Sequence, residues 1–126
     1  MTKRTSQTTH DQMVIDVYNH LLSKGYSDVR ADLDGLSQPT RIYWEETKKG
    51  HIPDLTGNKN GTNCLFEVET EDSISDQHTE DQWNLFSANA KQHDKAFIVV
   101  VPKTSEASAQ LHLNQLGIQA DIWTVG

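Results

Sequence analysis

Cysteine is almost missing from this chain. Cys64 is the only one in 126 residues, so no internal disulfide can staple the fold, and a lone thiol fits a reducing cytoplasm. Long apolar runs are missing too, which excludes a membrane span of roughly 20 residues. The basic start Met1-Thr2-Lys3-Arg4 is followed by polar residues, so residues 1–9 are expected to form a flexible tail and not a signal peptide. Positive charge is scarce: 11 Lys and Arg stand against 18 Asp and Glu, a formal net charge of −7. That balance argues against broad, charge-driven binding to nucleic acid. There is no internal repeat, no low-complexity segment and no Gly-rich phosphate loop. The six histidines show no paired zinc-site spacing and are expected to be mostly surface or structural. What is left is 35% hydrophobic and 23% charged, enough for one domain over residues 1–126 with its own core.

Thr9-His10-Asp11-Gln12 has the spacing of a capping box, and Val14, Val17, Tyr18, Leu21 and Leu22 then recur at helical spacing until Gly25. Val29 to Asp34 alternates apolar and polar residues as a half-buried strand does. Ile42-Tyr43-Trp44 is a second short strand, and His51 to Leu55 a third. Gly57 to Asn63 is a turn-rich connection containing Asn60-Gly61. In the fourth strand, Cys64 to Thr70, the residues Cys64, Phe66 and Val68 share one face, and Leu65, Glu67 and Glu69 the other. A helix from about Asp76 to Gln92 carries Trp83, Phe86 and Ala90. Ala96 to Val101 is apolar on both faces and should be covered on both. Thr104 or Ser105 could cap a third helix with Ala109, Leu113 and Leu116, ending at Gly117. Ala120 to Val125 is the last strand. The predicted order is α-β-β-β-β-α-β-α-β, an α/β fold with a mixed sheet flanked by helices. Trp44 and Trp123 are expected in the core, and so is Cys64.

Seven acids and no Lys or Arg lie between Glu67 and Asp81. From Glu71 onward they read as a solvated rim. Glu67 and Glu69 read differently. They leave the same strand face, and Asp54 ends the preceding strand, so hairpin pairing brings Asp54 beside Glu67. Two like charges about 4 Å apart repel by roughly 4 kcal/mol at an intermediate dielectric. Such a cluster calls for a cation, a shared proton or full solvation. Mg²⁺ or Mn²⁺ suits oxygen ligands of this kind, and a metal held by Asp54, Glu67 and Glu69 could polarise a phosphodiester and activate water.

Pro53-Asp54, followed after a turn by Glu67-Val68-Glu69, resembles the signature of the PD-(D/E)XK nuclease superfamily, the restriction-endonuclease-like proteins. The element order is similar to that family's core. The resemblance implies that Asp54 and Glu67 match the metal ligands, and that Glu69 stands where the family has its lysine, which assists the attacking water. Gln82, with Phe86 four residues on, is similar to the Gln-x-x-x-Tyr pattern of one branch, in which that helix faces the active site; Phe86 lacks the hydroxyl.

Glutamate in place of lysine reverses a charge at the reacting centre. Lys59, Lys91 or Lys95 could supply the missing cation; Glu69 could join the metal shell and recruit a second ion; or the fold could have lost catalysis. His51, three residues before Asp54, reads as a loop histidine. The expected function is metal-dependent phosphodiester hydrolysis in DNA or RNA, with Asp54, Glu67, Glu69 and Gln82 at the site. The alternative is a catalytically inactive nuclease-fold module that binds a protein partner or itself as a homodimer.

Overall fold

The computed structural model describes residues 5–126. Its elements are α1 (Thr5–Ser23), β1 (Ser27–Ala31), β2 (Ile42–Tyr43), β3 (Gly50–His51), β4 (Leu55–Lys59), β5 (Thr62–Val68), α2 (Gln77–Gln92), β6 (Ala96–Pro102), α3 (Glu106–Leu116) and β7 (Asp121–Val125). Five strands form one sheet in the order β1-β4-β5-β6-β7, and β2 pairs with β3 in a separate arm. The β1–β4 and β4–β5 pairs are antiparallel; β5–β6 and β6–β7 are parallel. The fold is therefore the expected mixed sheet flanked by helices, with one strand more than the expected order.

The extra strand comes from Pro53. Pro has no N–H to give a ladder, and here it divides the expected strand His51–Leu55 in two. Gly50 and His51 pair with β2, while Leu55 begins β4. The hairpin turn is tighter than its composition suggests. Only Asn60 and Gly61 leave the ladder, both with positive φ (54° and 87°), as a two-residue I′ turn requires. Gly57, Asn58 and Asn63 are strand residues.

The two faces of the sheet bury two cores. Met13, Val14, Val17 and Leu21 of α1 pack on Phe66, Val68, Ile98 and Val100. Trp83, Phe86 and Ala90 of α2, with Ala109 and Leu113 of α3, cover Leu65, Phe97, Val99 and Val101. The alternation along β5 falls as expected, and β6 is buried on both faces. Both α1 and α3 end in Schellman turns. Gly25 and Gly117 are left-handed at C′, and the next amides, of Tyr26 and Ile118, reach back to Leu21 and Leu113.

Other expectations need correction. Helix α1 already includes Thr5–Thr9, so Thr9-His10-Asp11-Gln12 is helix interior and not a capping box; Gln12 instead bonds Asp16 one turn on. Of the tail expected over residues 1–9, residues 1–4 lie outside the described residues. Leu22 faces solvent, and Met13 takes its place in the stripe. The first strand runs Ser27–Ala31, two residues earlier than its pattern. Lys103–Ser105 form a 3-10 turn before α3, and the Ser105 hydroxyl makes no capping bond. Trp44 is exposed, while Trp123 packs edge-on against His20 and tilted against Phe66. Among the described residues no helix is long and apolar enough to cross a membrane.

The β2–β3 arm depends on Gly50. A Cβ there would strike the Ile42 carbonyl oxygen and lie 2.8 Å from the Tyr43 Cα, and these backbone atoms cannot swing aside. Gly50→Ala should destabilise the chain by roughly 1–3 kcal/mol. Amide exchange should speed up across Ile42–His51 while β4–β6 stay protected. Unchanged exchange in the arm would refute this account.

Candidate active site: a buried carboxylate cluster

The two-residue turn fixes the register of β4 on β5. Leu55 pairs with Phe66, so the next residues outward, Asp54 and Glu67, face each other. They are locked from both sides. The Asp54 amide donates to Glu67 Oε1 at 3.0 Å, and the Val68 amide donates to Asp54 Oδ2 at 2.8 Å. The Asp54 carbonyl accepts from the Asp32 amide at 2.9 Å, which ties the same residue to the chain beyond β1. Glu67 is 1% exposed. Burial, the charges of Asp54 and Glu69, and a carboxyl–carboxyl hydrogen bond to Asp54 push its pKa well above the usual carboxylate range, against the opposing Asp54 amide.

Glu69 continues the same face one step on, its amide bonded to the Val100 carbonyl of β6 at 2.9 Å. Its side chain is buried but well supplied with donors. Ser73 Oγ donates to Oε1 at 2.7 Å and Trp83 Nε1 to Oε2 at 3.3 Å, while Thr79 Oγ1 lies 3.2 Å from Oε1 and shares its one proton with the Ser73 carbonyl at 2.6 Å. Desolvation raises its pKa to about 7; the Ser73 bond works against this, the Asp54 charge adds to it, and His10 and Thr79 lower it.

The positive charge comes from a residue the sequence reading passed over. His10 Nε2 lies 3.2 Å from Asp54 Oδ1, and its Nδ1 lies 3.2 Å from Asp11 Oδ1. Burial opposes protonation, but the hydrogen bond and charge of Asp54, the Asp11 bond and the charge of Glu69 outweigh it. The imidazole pKa stands at about 9, so the ring is a cation at neutral pH. A sequence signal for this existed. His10 precedes Val14, Val17 and Leu21 at helical spacing, one turn before the apolar stripe that docks α1 on the sheet. Ser73, Thr79 and the Trp83 indole N–H were also missed; Trp83 was read as core alone, and it is both core and donor.

These groups line one cavity of about 260 Å³ that includes His10, Asp54, Glu67, Glu69, Thr79 and Gln82. Gln82 thus faces the cluster, while Phe86, one turn on, is fully buried in the core. Among the described residues lining the cavity there is no Lys or Arg. Lys59 bonds the Lys24 carbonyl, Lys95 bonds Asn89, and Lys91 lines a different cavity. His51 sits on β3, its ring 5.1 Å from that of His78, and His78 lines the carboxylate cavity. Cys64 is a buried free thiol, pushed up in pKa by desolvation.

As the side chains stand, no three His, Cys, Asp or Glu residues among those described are arranged to hold a metal ion. Asp54 and Glu67 are the residues through which a hard cation would be held, with water and other oxygens completing its shell. Glu69, bonded by Ser73 and Trp83, is held apart from them.

The cluster gives an unusual pH dependence. The folded pKa values of Glu67 and Glu69 lie above their unfolded values, so their contribution is present below about pH 4.5 and is lost as pH rises through about 7 for Glu69. The His10 contribution is present below pH 6.5 and is lost as pH rises through about 9. In each case the folded chain holds the proton more tightly, so stability falls with rising pH. The midpoint of thermal unfolding should drop between pH 5 and pH 9 by something on the order of 5 °C. His10→Gln should flatten the upper part of that slope, and Glu69→Gln the lower part. A midpoint that rises over this window would contradict the cluster's electrostatics.

No family model matches the chain, and no curated protein or solved structure matches it either.

Proposed function

We propose that the chain is a divalent-cation-dependent phosphodiester hydrolase of the PD-(D/E)XK, restriction-endonuclease-like kind, acting on DNA or RNA in a cytoplasmic setting. The observation that carries this reading is the opposition of Asp54 and Glu67 across β4 and β5, both reaching one cavity. The order of helix, antiparallel strands, helix and parallel strand around that pair supports it.

Asp54 and Glu67 would hold Mg²⁺ or Mn²⁺. A cation bound there would polarise the scissile phosphodiester and lower the pKa of water. The remaining roles belong to the chain's own groups. Glu69 occupies the lysine position but cannot supply its charge. Anchored by Ser73, Thr79 and Trp83, it is placed to accept a proton from the attacking water. His10, paired to Asp54, would add positive charge beside the reacting phosphate. The Gln82 amide can donate to a phosphate oxygen.

One observation favours the alternative, a catalytically inactive module for protein binding or self-association. Both Glu69 oxygens are engaged internally, and no lysine lines the cavity among the described residues. Cleavage assays on single- and double-stranded DNA and RNA, with Mg²⁺ and with Mn²⁺, separate the two readings. The hydrolase should cleave only with the cation, lose cleavage in Asp54→Ala, and lose about 100-fold or more in Glu69→Gln. An absence of cleavage on every substrate, together with no calorimetric binding of either cation, would leave the inactive module.

A further inference from the structure

A second cavity, of about 370 Å³, opens on the same face of the sheet as the carboxylates. Leu65 lines it, and Glu67 lines the first. The two residues are neighbours on one strand face, about 7 Å apart along the strand. Along α2, Thr79 and Gln82 face the carboxylates, and Asn89 faces the second cavity. The two sites therefore sit side by side under opposite ends of one helix, but their charges differ.

Arg30, Arg41 and Lys95 line the second cavity, with the acids Asp28 and Glu45. The acids are already matched: Asp28 pairs with Arg30 at 3.1 Å, and Glu45 with Lys48 at 3.2 Å. Arg41 and Lys95 are the surplus. Among the described residues neither has a carboxylate partner. Arg41 Nη2 donates to the Lys48 carbonyl at 2.8 Å, and Lys95 Nζ to Asn89 Oδ1 at 2.8 Å. Desolvation holds the Lys95 ammonium below its usual range, so an anion there would relieve a real cost. The Tyr43 ring lines the cavity but is already taken, with the Arg41 guanidinium 5.5 Å and the Lys48 ammonium 5.4 Å from its centroid; Trp44, next in the chain and outside the lining, is 38% exposed.

We infer that this cavity is a phosphate subsite for a single nucleic-acid strand, in which Arg41, held against the Tyr43 ring, and Lys95 bind a backbone phosphate and the exposed Trp44 ring beside the cavity stacks a base. A guanidinium fork and an ammonium suit a phosphate, and exposed rings suit unpaired bases, whose faces a duplex hides. A chain with a net charge of −7 repels the dense charge of a duplex, and two surplus cations suffice only for a few phosphates. The inference deepens the hydrolase reading, because a strand anchored here runs toward the carboxylates. Its test is read without cleavage.

The full-length Asp54→Ala protein, in EDTA, is titrated into a short fluorescein-labelled oligothymidylate, and anisotropy is read at several salt concentrations. Binding should weaken about tenfold or more when Arg41→Gln and Lys95→Gln are combined, and the slope of log affinity against log salt should flatten. The charge-conserving Arg41→Lys with Lys95→Arg should retain most of the affinity. Trp44→Ala should weaken binding without changing the slope. The inference is overturned by an absence of binding, by unchanged affinity in the glutamine pair, by duplex bound as tightly as single strand, or by full displacement with millimolar inorganic phosphate, which would mark a small-anion site. If binding behaves as expected and cleavage never occurs, the hydrolase reading alone fails.

Discussion

The two hydrogen bonds that lock Asp54 to Glu67 and Val68 are the constraint on which the rest of the site depends. They extend the β4–β5 ladder one step past the last paired strand residues, using a side chain where a backbone group would ordinarily serve. In both bonds a backbone amide donates and a carboxylate accepts. Pro53, which has no N–H, lies between the β2–β3 pair and the β4–β5 ladder. One imino acid and one carboxylate thus mark the point where the chain passes from the arm to the main sheet.

That arrangement is expensive for stability. A carboxyl at 1% exposure costs several kcal/mol if ionised and alone, and Glu67 has two carboxylate neighbours. A leucine in its place would pack against Leu65 and Val99 without that cost. The chain offsets part of it locally, with the Asp54 amide for Glu67, the Ser73 and Trp83 donors for Glu69 and the His10 cation for Asp54. Each offset comes from a different element: α1, the β4 end, the loop after β5, and α2. Perturbed groups that converge in a cavity make a candidate site, and that is the ground for the reading proposed above.

Part of this is legible in the sequence. Hairpin pairing brings Asp54 beside Glu67, and the two-residue period puts Glu67 and Glu69 on one face; the register itself is not in the pattern, because Gly57, Asn58 and Asn63 look like turn residues and are strand. What escaped notice was non-local. His10 could be reached only by extending an apolar stripe one turn into polar sequence, and nothing in the spacing says that α1 begins early enough to make that turn helical. The capping pattern at Thr9 pointed the other way, and it lost because the helix is held by packing along Met13 to Leu21 more than by its first bonds. Trp44 failed for a related reason. Hydrophobic size puts it inside, but Trp44 lies just past β2 and is left exposed, while Ile42 of the same arm is buried in the core.

The net charge misleads in the same way, because it averages over surfaces that are kept apart. The acids after Val68 gather at one end of β5, and the surplus cations Arg41 and Lys95 gather at the other, joined by one strand and one helix. The missing lysine of the Glu67-Val68-Glu69 stretch looks different in that light. A positive charge at Glu69 would sit against Asp54 and Glu67 and would compete with His10 for the same carboxylates. With Glu69 there instead, burial and mutual repulsion favour protons on Glu67 and Glu69, and His10 supplies the positive charge. On the hydrolase reading proposed above, a cation entering the cavity would displace protons from these carboxylates and would meet no lysine competing for the same oxygens.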